Sequence, residues 1–258
     1  MAFTHTTANN IVLPRGKVYF APFAAGTTTP ATYERYLGNT PTASLTGSST
    51  KLEHFSADGP VRIKDKSIVT EVNYAGSLEV DNINADNLAA FFLGTSSTVS
   101  DAGATITAEA HGAVPADAVV QLGIGTTRPS GARKVTTVVV KDAGTAKTLG
   151  THYELDADTG RVHTLVAFAT MTVDYVISSS TREQVISAGT QVKGALRVIA
   201  ENSEGTNRDY YLPSVTLAPN GDFVLKGDGT SWLTMKLDME VLKKDDSTAA
   251  VYIDGRAA

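Results

Sequence analysis

The chain has 258 residues, and 22 Lys and Arg against 27 Asp and Glu give it a formal net charge of −5 at pH 7. The lack of cysteine excludes a disulfide scaffold, a thiolate metal site and a cysteine nucleophile. The mild acidity argues against a protein that grips nucleic acid by neutralising phosphates, and a hydrophobic content of 42% excludes a wholly disordered chain.

Neither a secretory signal nor a membrane span is predicted. The first ten residues carry no positive segment and no apolar segment. The longest apolar run covers residues 88–93, whereas roughly 18 residues are needed to cross a bilayer. These features predict a soluble protein made in the cytoplasm.

The N-terminal third predicts extended structure, because Thr and Val alternate there with polar residues at the period of a β-strand. Residues 17–22 predict a first strand, and 33–37 are expected to pair with it. Residues 41–55 predict another extended stretch with an interruption at 47–49. Residues 61–82 are long enough for two strands or one bent ribbon.

One helix is predicted after these strands. Leu88, Phe91 and Phe92 have the i, i+3, i+4 spacing of an apolar helix face. Asn84 is a natural N-cap residue, and Gly94 is placed to end the helix. The pattern predicts an amphipathic helix of two to three turns that packs on a sheet.

Residues 95–189 differ from both flanks, since their turn signals are closely spaced. Gly160 follows Asp158 and Thr159 at a position that predicts a hairpin turn. Strand-length segments lie at 118–123, 134–141, 152–156, 161–165 and 170–178. They predict a small β-sandwich of immunoglobulin-like size inserted into a host domain made of residues 1–94 and 190–258. The predicted class is therefore all-β with one short flanking helix.

Longer strands resume after this insertion, and the alternation within the host strands predicts a wet face. The predicted strands lie at 191–201, 209–218, 222–226 and 232–242. From residue 72 to 80 the even positions are mostly apolar, so these positions predict a dry face. The odd positions predict a polar, acidic face, with Glu71, Asn73, Ser77, Glu79 and Asp81. In residues 232–241 the odd positions are apolar instead, and the side chains predicted to face water are Thr234, Lys236, Asp238 and Glu240.

Candidate sites for catalysis or metal binding are weak. The five histidines are scattered, and none has the i, i+4 spacing of a helical metal site. His152 and His163 are placed to meet across the hairpin, although ordinary surface positions are the commoner outcome. Residues 156–160 resemble the start of a calcium loop, but its Gly comes one position early and the Glu ligand is missing, so a tight turn explains them better. We expect no enzymatic activity, no metal and no cofactor.

A charged segment, residues 58–66, lies between the two long extended stretches and overlaps the start of the second. It contains Asp58, Arg62, Lys64, Asp65 and Lys66. One interpretation is a solvent-exposed loop. The other is an arm that reaches a neighbouring subunit, where such charges set the register of the contact.

Residues 15–94 resemble the N-terminal part of the major tail protein of tailed bacteriophages, which is the tail tube subunit. The features that carry the resemblance are the opening GKVYFAPF, the RYLGNTP turn, the KLEHFS segment followed by GPVRIKD, and the helix in DNINADNLAAFFLG. Residues 216–243 resemble the closing strands of the same family. The middle of the chain does not match, as expected for a variable inserted domain.

The resemblance implies a tail-tube-type β-sandwich or barrel that assembles into hexameric rings, which stack into the hollow tube of a long, non-contractile, siphovirus-like tail. It implies a virion protein that is assembled in the host cytoplasm. Its partners would be copies of itself, the tape measure protein, and tail terminator and baseplate proteins. DNA would pass through the lumen only in transit, and no membrane would be bound.

The resemblance also implies roles for particular segments. Residues 56–66 would form the loop that contacts the adjacent ring, and the termini, 1–10 and 254–258, would reach neighbours. We expect the lumen to be lined by Glu71, Asn73, Ser77, Glu79 and Asp81, where carboxylates repel phosphate and let DNA slide. The inserted domain, residues 95–189, is expected to face outward.

Two other function classes are compatible with an all-β chain. An adhesive or carbohydrate-binding module of a cell surface would be monomeric and would carry an aromatic platform. A secreted hydrolase would need a signal peptide and a convergent acid/base cluster. The sequence features favour a self-assembling structural protein over both.

Overall fold

The computed structural model describes residues 11–24 and 26–256. Within these residues the chain forms seventeen β-strands and one α-helix. In chain order they are β1 (Gly16–Pro22), β2 (Arg35–Tyr36), β3 (Thr42–Ser56), β4 (Ile63–Val80), α1 (Ala85–Phe91), β5 (Gly94–Asp101), β6 (Ala104–Val114), β7 (Ala118–Gln121), β8 (Val135–Asp142), β9 (Thr145–Ala146), β10 (Tyr153–Asp156), β11 (Arg161–Thr164), β12 (Phe168–Ile177), β13 (Ser180–Ser187), β14 (Val192–Ala200), β15 (Arg208–Pro219), β16 (Met235–Val241) and β17 (Tyr252–Gly255). The predicted all-β class with one short helix is confirmed.

The chain divides into two compact units. Unit 1 comprises residues 1–97 and 184–258, and unit 2 comprises residues 98–183. The strands that run through the two boundaries, β5 and β13, pair with each other.

The predicted neighbour contacts of residues 1–10 lie outside the described residues, as do residues 257–258 of the predicted C-terminal contact. In the described part of the chain, no helix is long and apolar enough to span a membrane.

Unit 1 is built on one eight-stranded sheet with the order β2-β1-β14-β15-β16-β4-β3, and β17 pairs with the first half of β15. Strand β16 has one face in the core and one face in solvent. Met235, Leu237 and Met239 are buried at alternate positions, whereas the residues between them are exposed. The predicted alternation of this strand is therefore confirmed, and its apolar side chains pack with those of β1, β4, β14 and β15 in one core.

The structure corrects two strand predictions in unit 1 and decides between the alternatives of a third. Residues 47–49 do not interrupt β3, because Gly47, Ser48 and Ser49 pair directly with residues of β4. Residues 63–80 form one strand of 18 residues, which settles the choice between two strands and one ribbon. Residues 222–226 form no strand, because Phe223 leaves the sheet to pack against Phe91 and Phe92.

The helix α1 begins as predicted and ends differently. The Asn84 side chain accepts a hydrogen bond from the Asn87 N–H at 2.8 Å, so Asn84 is the N-cap. The left-handed residue after the helix is Leu93, with φ of 49°, rather than Gly94. Gly94 instead opens β5, where an added Cβ would lie 2.1 Å from the Ile186 carbonyl oxygen. Its small size therefore serves strand pairing and not the helix stop.

Asn87 fastens α1 to the sheet. Its side chain is buried and donates to the carbonyl oxygens of Leu37 and Asn82, both at 2.8 Å. Its Oδ1 accepts from the Arg35 guanidinium at 2.5 Å. Burial also lowers the pKa of Arg35, so this guanidinium depends on the acceptor that Asn87 supplies.

Replacing Asn87 with Ala is expected to lower the free energy of unfolding of unit 1 by about 3 kcal/mol or more, since two carbonyls and a guanidinium lose their partner and each such loss costs about 1–3 kcal/mol. Chemical denaturation followed by far-UV circular dichroism measures this change. Asn84→Ser is the matched control, because serine keeps a capping acceptor and should cost about 0.5 kcal/mol or less. Equal effects of the two substitutions would contradict the anchoring role of Asn87.

Unit 2 contains two sheets, β10-β11-β7 and β6-β12-β8-β9, which share one hydrophobic core. Val162 from the first sheet and Val140 and Met171 from the second are fully buried in it. The predicted hairpin turn is confirmed: β10 and β11 pair, and Gly160 has φ of +68°. Sequence patterns missed β6, whose bulged pairing with β12 breaks the period-2 signal.

An ion pair stabilises unit 2 near its boundary. The Arg128 guanidinium donates two hydrogen bonds to the Asp101 carboxylate, at 2.6 and 2.7 Å. Together with the Gly103 N–H, it lowers the pKa of Asp101 to about 2. A lowered folded-state pKa contributes stability above the unfolded-state value of roughly 4, and this stability is lost as the pH falls toward 2.

Asp101→Asn is therefore expected to lower the stability of unit 2 at pH 7 and to flatten its decline between about pH 4 and pH 2. Urea unfolding at a series of pH values measures both effects. Asp158→Asn is the control, because Asp158 is exposed on the hairpin turn. If the stability of the variant falls between about pH 4 and pH 2 as steeply as that of the wild type, other carboxylates cause the loss of stability in acid.

Candidate assembly surface

The hairpin of β3 and β4 extends beyond the sheet of unit 1. The two strands pair from Thr42–Glu79 out to Ser56–Ile63. In contrast, β16 pairs with β4 only between Val80 and Tyr74. Residues 48–73, which we call the arm, therefore form a two-stranded ribbon that has no further strand beside it within the described residues. At about 3.3 Å per residue, the arm is roughly 30 Å long.

The arm is exposed on both faces. Every residue of β3 from Thr42 to Phe55 is exposed, and so is every residue of β4 from Ile63 to Asn73. Many of the arm residues are apolar despite this exposure: Leu52 (66%), Phe55 (38%), Val61 (70%), Ile63 (68%), Ile68 (62%), Val69 (51%) and Val72 (60%). The prediction that the even positions of β4 form a dry face is therefore wrong at Val72. The half-buried Tyr74 is the first residue of this face that is shielded from solvent.

Such a ribbon is unusual for a free protein surface. A lone two-stranded hairpin is only marginally stable in water, and clustered exposed apolar side chains mark contact surfaces. The outer edge of β3 also presents backbone N–H and C=O groups to which no described strand is paired. The arm thus has two apolar faces and one open edge on which a partner can be received.

The charged residues predicted for the inter-ring contact lie around the tip of the arm. The irregular turn covers only residues 57–62, so Lys64, Asp65 and Lys66 belong to β4 and not to a loop. Asp58 lies in the turn and accepts a 3.5 Å hydrogen bond from the Ser56 hydroxyl.

These charges are largely paired inside the arm. Lys64 forms an ion pair with Glu53, and Asp65 lies 2.5 Å from His54. The Arg62 guanidinium lies 5.6 Å from the centre of the Phe55 ring. Cross-strand pairing of this kind holds the ribbon in one geometry. The contact of the tip with a neighbouring subunit stays a prediction.

Most of the residues predicted to line a lumen share one face. Glu71, Asn73, Ser77 and Glu79 occupy alternate positions of β4, so their side chains lie on the same side of the sheet. Asp81 lies beyond the end of the strand, where its carboxylate accepts a hydrogen bond from Asn39. The structure thus brings four of the five predicted residues together on the sheet.

The neighbouring strand β16 enlarges this face. Lys236 lies opposite Glu79, Asp238 lies opposite Ser77, and Glu240 lies one pair further along. Paired residues share a face, so Glu71, Glu79, Asp238 and Glu240 lie there together with Lys236. We call these five residues the acidic face. The alternation of β16 predicted that Asp238 and Glu240 face water, but only the register places them beside β4.

His152 and His163, which were expected to meet across the hairpin, have different partners instead. His163 lies 2.9 Å from Asp117 and 3.3 Å from Glu154, and these carboxylates raise its pKa, Asp117 most strongly. The His152 ring instead accepts the N–H of Thr148 at 3.2 Å. In the part of the chain that the structure describes, no group of three or more His, Asp and Glu side chains is placed to hold a metal ion.

The segment that resembles a calcium loop is used as a turn. The Asp156 carboxylate accepts the N–H of Thr159 at 3.2 Å and its hydroxyl at 2.5 Å. Both bonds lower the pKa of Asp156, the hydroxyl bond most strongly. A carboxylate engaged in this way closes a turn between β10 and β11.

Comparison with known proteins adds a family without a function. Residues 11–251 match the model of a family described as "Protein of unknown function UCP028589". The match covers the arm, the acidic face and the whole of unit 2. No curated protein matches the chain.

Proposed function

We propose a function for this chain, which belongs to the UCP028589 family of proteins of unknown function. The surfaces of the chain support the proposal. The chain is a structural protein that assembles with copies of itself into stacked rings, which form the tube of a phage tail. The observation that carries this proposal is the arm. It is an ordered ribbon of unit 1 whose faces and outer edge meet no other strand of the described chain.

The size of the arm suits a specific contact. A two-stranded ribbon roughly 30 Å long and about 10 Å wide has about 300 Å² on each face. A contact that covers the outer part of the arm beyond Glu71, with its tip and open edge, would bury about half or more of the roughly 800 Å² per partner of a standard interface. Burying the apolar side chains of this outer part would then stabilise both the arm and the assembly.

The acidic face supports the conduit role. It places four carboxylates and one ammonium group on a solvent-facing side of the sheet. Carboxylates repel the phosphates of DNA, so a lumen lined by this face would pass DNA without holding it. The resemblance of residues 15–94 and 216–243 to tail tube subunits supports the same role, and the tape measure, terminator and baseplate partners and the virion location rest on that resemblance.

Electron microscopy and sedimentation velocity of the purified full-length chain test this function. We expect rings or tubes to form as the protein concentration is raised, since stacked self-contacts obey mass action. A particle that remains monomeric up to its solubility limit would contradict the proposal. Assembly into closed dimers without rings would contradict it as well, because an isologous dimer uses up its own surface.

A further inference from the structure

A second exposed apolar surface lies in unit 1, on the connection between β15 and β16. Residues 220–234, which we call the Trp232 loop, are anchored at both the backbone and a side chain. The Asn220 N–H donates to the Lys236 carbonyl oxygen at 2.9 Å. The Phe223 ring packs against Phe91 and Phe92, with centroids 5.5 and 5.4 Å apart. The base of the loop therefore has a defined position on the core.

Beyond this anchor the loop presents large apolar side chains to solvent. Trp232 is 94% exposed, Leu225 is 88% exposed and Val224 is 54% exposed. Tryptophan contributes a large apolar area when it is buried and is enriched among the residues that dominate binding energies. An ordered loop that exposes Trp and Leu together has the composition of a contact site.

The Trp232 loop and the arm leave the sheet at opposite ends of the same two strands. The loop leads into Met235, which pairs with Val80 at one end of β16. The other end of β16 is Val241, which pairs with Tyr74, and the arm begins directly beyond that pair. The two ends are six residue steps apart along the seven residues of β16, a span of roughly 20 Å.

Because the two apolar surfaces lie at opposite ends of one fold, a contact between them joins two copies in a head-to-tail arrangement. A contact of this kind is heterologous, so it repeats without closing on itself and builds a stack. We infer that the Trp232 loop of one copy receives the arm of the next copy. This inference rests on the proposed function and names the surface on which the arm docks.

The register of the arm identifies the face that docks. Leu52 pairs with Ile68, His54 pairs with Lys66, and Ser56 pairs with Ile63, so all of these side chains share one face. That face holds Leu52, Ile63 and Ile68 around the ammonium group of Lys66; the neighbouring Asp65 carboxylate is engaged by His54, and Glu71 lies nearer the sheet on the same face. The loop offers Trp232 and Leu225 together with two carboxylates, Asp222 and Asp228, against one lysine, Lys226. Both surfaces are thus apolar, and Lys66 at the outer end of the arm is placed to face the carboxylates of the loop.

Intrinsic fluorescence tests the docking directly. Trp232 is the one tryptophan of the chain, so tryptophan emission reports on this loop alone. We expect the emission of an exposed indole in monomers and a blue shift when stacks form. Trp232→Ala is expected to raise the concentration needed for assembly about 30-fold or more, which corresponds to the hot-spot threshold of about 2 kcal/mol at 1.4 kcal/mol per tenfold.

Substitutions on the docking face of the arm should weaken assembly in the same way. The double variant Leu52→Ser and Ile68→Ser should keep its Trp232 emission unshifted at concentrations where the wild type assembles. Ile124→Ser is the matched control, because Ile124 is 63% exposed and belongs to unit 2, whereas both surfaces belong to unit 1. It should assemble like the wild type.

Cross-linking gives a second readout, because the chain has no native cysteine. Leu225→Cys protein and Ile68→Cys protein are mixed under oxidising conditions. A disulfide-linked dimer is expected in the mixture at assembling concentrations, and neither protein alone should form it efficiently, since each carries only one side of the contact.

The possible outcomes separate this inference from the proposed function. Stacks that form without a shift in Trp232 emission, or a shift that survives the double arm variant, would overturn the docking and leave the proposed function standing. A wild type that forms no assembly would overturn both. A blue shift on phosphatidylcholine vesicles without assembly would also overturn the docking, and would make the loop a membrane contact.

Discussion

Removing the arm is expected to abolish assembly and leave unit 1 folded. The variant replaces residues 49–72 with Asn-Gly between Ser48 and Asn73. These two residues lie directly opposite each other in the ladder, and Asn-Gly forms the two-residue turn that closes such a hairpin. The core of unit 1 contains none of the deleted side chains, so the stability of the unit should change little. Sedimentation velocity measures the loss of assembly, and thermal unfolding measures the stability.

A full-length variant separates loss of contact from loss of structure. Leu52, Ile63 and Ile68 are changed together to Ser, which keeps the arm length and its charges. We expect the same loss of rings and tubes, because the apolar contact is the main contribution to association. If either variant still forms tubes, the arm is not the assembly surface. An unfolded deletion variant beside a full-length variant that still forms tubes would mean that the arm stabilises the monomer.

The parts of this fold that follow local rules could be predicted from sequence. Asn84 caps α1 because its side-chain oxygen reaches a free N–H of the first turn, and this needs only neighbouring residues. The alternation of Met235, Leu237 and Met239 follows from the period of a strand with one buried face. Both predictions depend on short stretches of chain, which is why they are confirmed.

Predictions that depended on distant pairing were wrong. Gly47, Ser48 and Ser49 have the composition of a turn, yet their backbone groups are held by β4, so the strand continues. Residues 222–226 look like a strand, but the attraction of Phe223 to Phe91 and Phe92 draws the chain away from the sheet. Local propensity is weaker than either of these tertiary contacts.

One strand of the candidate site could be predicted and the other could not, because only the first depends on a local pattern. The period-2 pattern of β4 predicts that Glu71 and Glu79 share a face, but no pattern predicts that Asp238 and Glu240 lie beside them, since this depends on the register of β16. The sequence did not indicate that the arm is exposed, and the reason is different. Ile68, Val69 and Val72 have the composition of core residues, and a monomer core is the default interpretation of such residues. Only the end of the β16 ladder at Tyr74 reveals that they lie outside it.

Reversing the charge of the acidic face is expected to turn a tube that lets DNA pass into one that holds it. The variant is Glu71→Lys with Glu240→Lys. Glu79 is left unchanged because it lies opposite Lys236, and two lysines facing each other there would destabilise the sheet. Lysines that repeat around every ring would contact many phosphates at once, so DNA retention should rise about tenfold or more at low salt and fall steeply as salt is added.

Co-sedimentation of assembled tubes with short duplex DNA, over a series of salt concentrations, measures this retention. Asp158→Lys with Glu183→Lys is the matched control, because it makes the same change in net charge at two exposed positions of unit 2, whereas the acidic face belongs to unit 1. Control tubes should retain no more DNA than wild-type tubes at any salt concentration. If both variants retain DNA equally, the effect comes from net charge and the acidic face does not line the lumen. If tubes of the Glu71→Lys, Glu240→Lys variant retain no more DNA than wild-type tubes although its unassembled subunits bind DNA, the acidic face is covered in the tube and the lumen assignment fails.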